Sequence, residues 1–119
     1  MPKNLLPKYE RRRNTIYSHN RNETLKHLVV KTILFHALRA KNRTVFTECT
    51  VNEAIVDVLD DTENIAYELE SNPKPNTWKA KQVLINPYNN HAMPTVRVID
   101  LRDFSMDVDE IYEYFEELT

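Results

Sequence analysis

Glycine is absent from all 119 residues. Close backbone approach to a phosphate, in a Walker loop or a dinucleotide fingerprint, requires glycine, so those nucleotide-cofactor chemistries are excluded. Left-handed turn positions must then fall to asparagine, which tolerates them best after glycine, and the chain carries twelve Asn. The single cysteine, Cys49, rules out an intramolecular disulfide and a cysteine-based zinc site. No apolar run approaches the ~20 residues of a membrane-spanning helix. Residues 1–13 start basic but lack the apolar stretch of a signal peptide. The expectation is a cytoplasmic protein in a reducing compartment.

The composition that remains, 41% hydrophobic and 29% charged, suits one packed domain and excludes a disordered or fibrous chain. Its charge is uneven. Residues 1–43 hold eleven Lys/Arg against Glu10 and Glu23, a net of +9, and the remainder holds five basic against sixteen acidic residues, a net of −11. A basic block on an acidic chain fits a polyanion such as DNA, where phosphate contacts dominate affinity; a solvated tail is the other reading. Residues 1–20 mix Pro2, Pro7, Asn and Arg without periodicity and read as a basic flexible arm, followed by one domain over 21–119. Lys3, Lys8, Arg11, Arg12 and Arg13 are the arm's candidate nucleic-acid contacts, and a homodimer contact through Leu5, Leu6 and Tyr9 competes with that use.

Asn22 is placed to cap a helix beginning at Glu23. Its apolar stripe is Leu25, Leu28, Val29, Ile33, Ala37 and Ala40, with a second row of Val30, Leu34 and Leu38 that Glu23 and His27 extend toward the amino end. Residues 44–48, 54–59 and 65–70 have strand composition and read as an antiparallel meander, with a polar turn over 60–64. Residues 77–85 suit a helix capped by Asn76 and stopped at Asn86-Pro87. A fourth strand spans 96–101. Residues 107–118 form a last helix with Val108, Ile111, Phe115 and Leu118 on one face and Asp107 with Glu110 as a capping box. Trp78, near the start of the second helix, could stack on a base, although packing explains it as well.

Asp57 is the informative residue. Inside the apolar run Ala-Ile-Val-Asp-Val-Leu it should be partly buried, and a buried carboxylate is costly unless it is paired or binds a metal. Glu68 and Glu70 on the next strand share a face, because side chains alternate across a sheet. If Asp57 joins that face, three carboxylates converge, and a divalent cation is the simplest relief. Oxygen-only ligands favour Mg²⁺ or Mn²⁺ over zinc.

This order of elements, with Asp57 on the second strand and Glu68-Leu69-Glu70 on the third, resembles the PD-(D/E)XK nucleases, and most of all their compact RecB-like and archaeal Holliday-junction-resolvase-like members. The resemblance covers about residues 23–101. It implies an α/β restriction-endonuclease-like core, helix-strand-strand-strand-helix-strand plus a carboxyl-terminal helix, that hydrolyses DNA phosphodiesters with Mg²⁺ or Mn²⁺. By the same resemblance Glu23, Asp57, Glu68 and the Leu69 carbonyl would hold the metal. Glu70 stands where the family has lysine, and its role would be to orient or deprotonate the attacking water, or to complete a second metal site. Some relatives carry the lysine on the following helix, where Lys79 and Lys81 lie; Lys81 is the candidate for charge stabilisation and Lys79 for phosphate contact. Two alternatives stand beside this reading: a nuclease-like protein that binds DNA without cutting, and a small acidic interaction or regulatory protein.

Overall fold

A computed structural model describes residues 24–118. Thr24 is extended, and its Oγ1 accepts the His27 amide at 3.1 Å, so α1 runs over Leu25–Ala40. The cap falls at Thr24 and not at the expected Asn22, because a threonine hydroxyl reaches the third amide of this first turn. Glu23 lies outside the described residues. Of the two apolar rows, the second is the deeper: Val30, Leu34 and Leu38 are fully buried, whereas Leu25 is exposed. Lys31 is also fully buried, and its ammonium lies 3.3 Å from Glu48 Oε2.

Strands β1 (Val45–Val51), β2 (Ala54–Asp60) and β3 (Ile65–Glu70) form the expected antiparallel meander, and β4 (Thr95–Asp100) joins β3 in parallel. The result is a mixed sheet of order β1-β2-β3-β4. Helix α2 (Thr77–Ile85) makes the crossover that parallel pairing requires. A short 3₁₀ turn, Leu101–Asp103, leads into α3 (Val108–Leu118). Helices α1 and α3 share one apolar cluster with Val45, Val58, Tyr67, Leu69 and Ile99, while Ile85 of α2 packs with Cys49, Val51, Val56, Leu59, Ala66 and Val96 in a second. The chain is thus an α/β protein with a four-stranded mixed sheet flanked by helices.

Helix termini follow the sequence reading with changes of detail. Asn76 occupies the N-cap of α2 but its side chain makes no cap hydrogen bond; Thr77 Oγ1 instead accepts the Lys74 amide at 2.8 Å. Asp107 caps α3 by accepting the Asp109 and Glu110 amides. The reciprocal half of the box is replaced by Ser105, which donates to Glu110 and accepts from the Asp107 amide. On α3 only Ile111 and Phe115 are buried, and Val108 and Leu118 are exposed.

Asparagine takes the turns, as the missing glycines require. Among the described residues the positive-φ positions are Asn42, Asn52, Asn64, Asn89 and Glu48. Asn52, at φ 53°, makes the two-residue connection between β1 and β2, and its Nδ2 donates to the Ile85 carbonyl at 2.5 Å. Asn52→Ala should cost about 1–2 kcal/mol for the left-handed backbone together with the loss of that bond. Asn52→Gly should cost less than Asn52→Ala in urea denaturation, and equal losses would show that the side-chain bond, not the backbone, sets the requirement.

Candidate metal centre

Among the described residues Glu48 is the one positive-φ residue that is not asparagine, and it lies inside a strand. Pairing between β1 and β2 steps from Thr47↔Val58 to Cys49↔Val56, which sets Glu48 across from Asp57 without a ladder pair. On the other side, pairing of β2 with β3 stops at Val58↔Tyr67, although β3 continues against β4 as far as Glu70↔Asp100. Beyond Val58, β2 stays with β1 and β3 stays with β4, so the sheet forks at Asp57. The Asp57 side chain fills the gap: its Oδ2 accepts the Leu69 amide at 2.8 Å. The same oxygen lies 3.4 Å from His27 Nε2 on α1.

Asp57 is partly buried, as its apolar surroundings in sequence demand, and Glu68 is only 2% exposed. Burial pushes the Glu68 carboxyl well above the ordinary range, and the charge of Asp57, a hydrogen bond to Asp57 and the charge of Glu70 push the same way against the opposing pull of Lys81. For Asp57, burial acts upward but is outweighed by the His27 hydrogen bond and charge, the Leu69 amide and the hydrogen bond from Glu68, so its carboxyl lies below the ordinary range. The two acids are thus pushed apart: burial and the charge of Asp57 favour the protonated form of Glu68, and His27 with the Leu69 amide favours the carboxylate of Asp57.

The other buried acids among the described residues are satisfied. Asp60 accepts the Thr62 and Glu63 amides and pairs with Arg43 at 3.1 Å, and Glu48 has Lys31. Among the described residues the buried side-chain polar atoms without a hydrogen-bond partner are Asn64 Oδ1, Tyr67 Oη and Glu68 Oε1, and only that of Glu68 belongs to a carboxyl. A buried carboxyl oxygen without a hydrogen bond beside a second carboxylate is costly, because each group raises the cost of ionising the other. Oxygen donors of this kind are the type that hard divalent cations take.

Of the remaining sequence candidates, Lys81 is brought in, with Nζ 4.0 Å from Glu68 Oε1 and its side chain one-third exposed. Glu70 is half-buried and acts on Glu68 through charge. Lys79 is exposed on α2. Glu23 and the arm residues Lys3, Lys8, Arg11, Arg12 and Arg13 lie outside the described residues. Among the described residues no group of three or more His, Cys, Asp or Glu side chains is gathered for a metal ion; the convergence extends to the pair Asp57 and Glu68, with Glu70 near enough to be felt. Comparison with protein-family models, curated proteins and solved structures finds no match to this chain. No helix among the described residues is long and apolar enough to cross a membrane.

Beside the expected site residues the structure adds His27, against Asp57, and the buried Lys31–Glu48 pair. His27 lies on the α1 row that also holds Val30, Leu34 and Leu38, and that row was the available signal for its inward position. The Lys31–Glu48 pair had no comparable signal, since a lysine on a helix and a glutamate in a strand ordinarily face water.

Proposed function

We propose that the protein is a Mg²⁺- or Mn²⁺-dependent nuclease with a restriction-endonuclease-like core, hydrolysing DNA phosphodiesters at the fork of its sheet. The observation that carries this reading is Glu68, buried, with an Oε1 that has no hydrogen-bond partner, only the Lys81 ammonium 4.0 Å away, next to Asp57, whose carboxyl is held below the ordinary range.

Asp57 and Glu68 would hold the cation, with the Leu69 carbonyl as a further oxygen donor by resemblance. A bound divalent cation would polarise the scissile phosphate and lower the pKa of a water. The chain's own part is positioning and charge. The Leu69 amide and His27 fix the Asp57 carboxylate, so its orientation costs little when substrate arrives. Glu68 must release its proton to act as a ligand, and Lys81 on α2 offsets the charge that then appears. Lys81 also has the side-chain freedom to meet the negative charge that grows on a phosphate under attack. Glu70, on the same face of β3 as Glu68, is placed to orient the attacking water and accept its proton.

A cleavage assay on labelled linear, circular and branched DNA, with Mg²⁺, Mn²⁺ or EDTA, tests the proposal. Cation-dependent cutting supports it, and no cutting with any of these substrates and cations overturns it. Lys81→Ala should slow cleavage by ~10²-fold, as for other lost donors to a developing oxyanion, with DNA affinity little changed; equal losses of affinity and rate would make Lys81 a phosphate-positioning residue. The gathering of only two carboxylates among the described residues favours one second reading, a nuclease-like protein that binds DNA without cutting. Mn²⁺-dependent thermal stabilisation and DNA binding without any cleavage would select it.

A further inference from the structure

A pocket of about 310 Å³ opens between α2 and the segment that leads into β4, lined by Trp78, Gln82, Asn86, Asn89, Asn90, His91, Met93 and Thr95. Its size is at the lower end of the range for small-ligand sites. Its walls are braced internally. Asn86 Nδ2 donates to the Asn90 carbonyl and Asn86 Oδ1 accepts the Asn90 amide, both at 2.8 Å. Gln82 donates to the Pro94 carbonyl and accepts from the Val96 amide. Asn64 Nδ2 holds the Ala92 and Met93 carbonyls from the sheet side.

Trp78 is tied down by its indole N–H, which donates to the Val96 carbonyl at 2.8 Å, yet it remains 45% exposed. Most helix tryptophans with a satisfied N–H are packed away; this one is fixed at one edge and keeps ring surface open. At the rim, the side chains of Asn89 and His91 make no hydrogen bond among the described residues, so their donors and acceptors are unspent. The lining contains no Asp, Glu, Lys or Arg. A phosphate or a carboxylate would find no fixed countercharge there. A flat, neutral, polar-edged ring would find an aromatic side chain held at one edge, amide groups and a thioether in the lining.

We infer that this pocket is a subsite for a nucleobase, with Trp78 as the stacking platform and Asn89 and His91 as edge contacts. The inference deepens the nuclease reading and rests on it for the choice of a nucleic-acid strand as the source of the base. Trp78 and Gln82 line the pocket, and Lys81 of the same helix reaches Glu68. A strand whose backbone passes Lys81 could therefore turn one unpaired base onto Trp78. Stacking of this kind serves single strands because every base offers a π-face. The substrate class it selects is single-stranded DNA, or a duplex end or branch with an unpaired base.

Trp78 is the only tryptophan, so its emission reports on the pocket alone. The test titrates the full chain, in EDTA, with deoxynucleoside monophosphates and with deoxyribose 5-phosphate, correcting for nucleotide absorbance. Saturable quenching by the base-bearing compounds and none by the sugar phosphate is expected, and His91→Ala should weaken the nucleotide response about tenfold, within the range of one base contact. An unchanged emission at millimolar nucleotide, or equal quenching by the sugar phosphate, overturns the inference. So does a His91→Ala response identical to wild type together with unquenched emission when a single-stranded oligonucleotide binds, as read by the anisotropy of an end label. The nuclease reading is scored separately by cation-dependent cleavage: cutting without quenching removes the pocket and keeps the nuclease, and quenching without cutting does the reverse.

Discussion

Asp57→Asn should reduce cation-dependent cleavage to the level seen in EDTA while leaving the protein folded. The asparagine keeps a carbonyl oxygen where Asp57 Oδ2 accepts the Leu69 amide at 2.8 Å, so the fork of the sheet retains this side-chain link. It loses the charge that a divalent cation needs. In wild type, cation at about a hundred times its dissociation constant should add about 2.7 kcal/mol of stability by mass action; the variant should show no such gain in a Mn²⁺ thermal-shift series. Asp57→Ala is the harsher change. Removing carboxylate repulsion favours it, but the orphaned Leu69 amide costs about 1–3 kcal/mol, so alanine should be less stable than asparagine. Cleavage retained by purified Asp57→Asn would remove Asp57 from the metal centre.

Glu68→Gln should stabilise the cation-free protein and abolish its response to cation. Glutamine has the shape of glutamate and an amide that can donate toward Asp57, but it never ionises. Because burial, followed by the charge of Asp57, raises the Glu68 carboxyl in the folded state, the folded wild type binds a proton that the unfolded chain has released. Its stability therefore falls as pH rises from the ordinary glutamate range through the higher folded value. The variant lacks that loss. The stability difference should open with rising pH over this window and reach about 1–2 kcal/mol, a size common for stabilising substitutions. Denaturant melts across pH, with and without Mn²⁺, read both effects. A structural glutamate would behave oppositely: its replacement would weaken the cation-free protein and leave no cation response to lose. A variant less stable than wild type at every pH would assign Glu68 to packing.

The opposite signs of these two effects are what a buried site is expected to give when stability has been traded for chemistry. Asp60 offers the internal contrast. It is as buried as Glu68, but two amides and Arg43 satisfy it, and neutralising it should only weaken the fold.

The sequence alone determined the order of helices and strands, the second helix at Thr77–Ile85, the antiparallel meander and the use of asparagine for left-handed turns, which the structure places at Asn42, Asn52, Asn64 and Asn89. These follow from short-range causes, namely side-chain alternation, helical periodicity and the conformational range of single residues, and such causes are written in neighbouring positions. The inward aspartate at position 57 was legible for the same reason, since an apolar run surrounds it. The tertiary structure decided the rest. Residues 44–48 carried strand composition, but β1 reaches Val51 through a left-handed Glu48, and that glutamate can be buried only because Lys31, seventeen positions earlier, comes down on it from α1. His27 likewise meets Asp57 only once α1 lies across the sheet. The fork that leaves Glu68 without a ladder partner on β2 is a property of several strands together. Whether a charged side chain ends in water or against another charge depends on which distant surface covers it, and local composition carries no record of that surface.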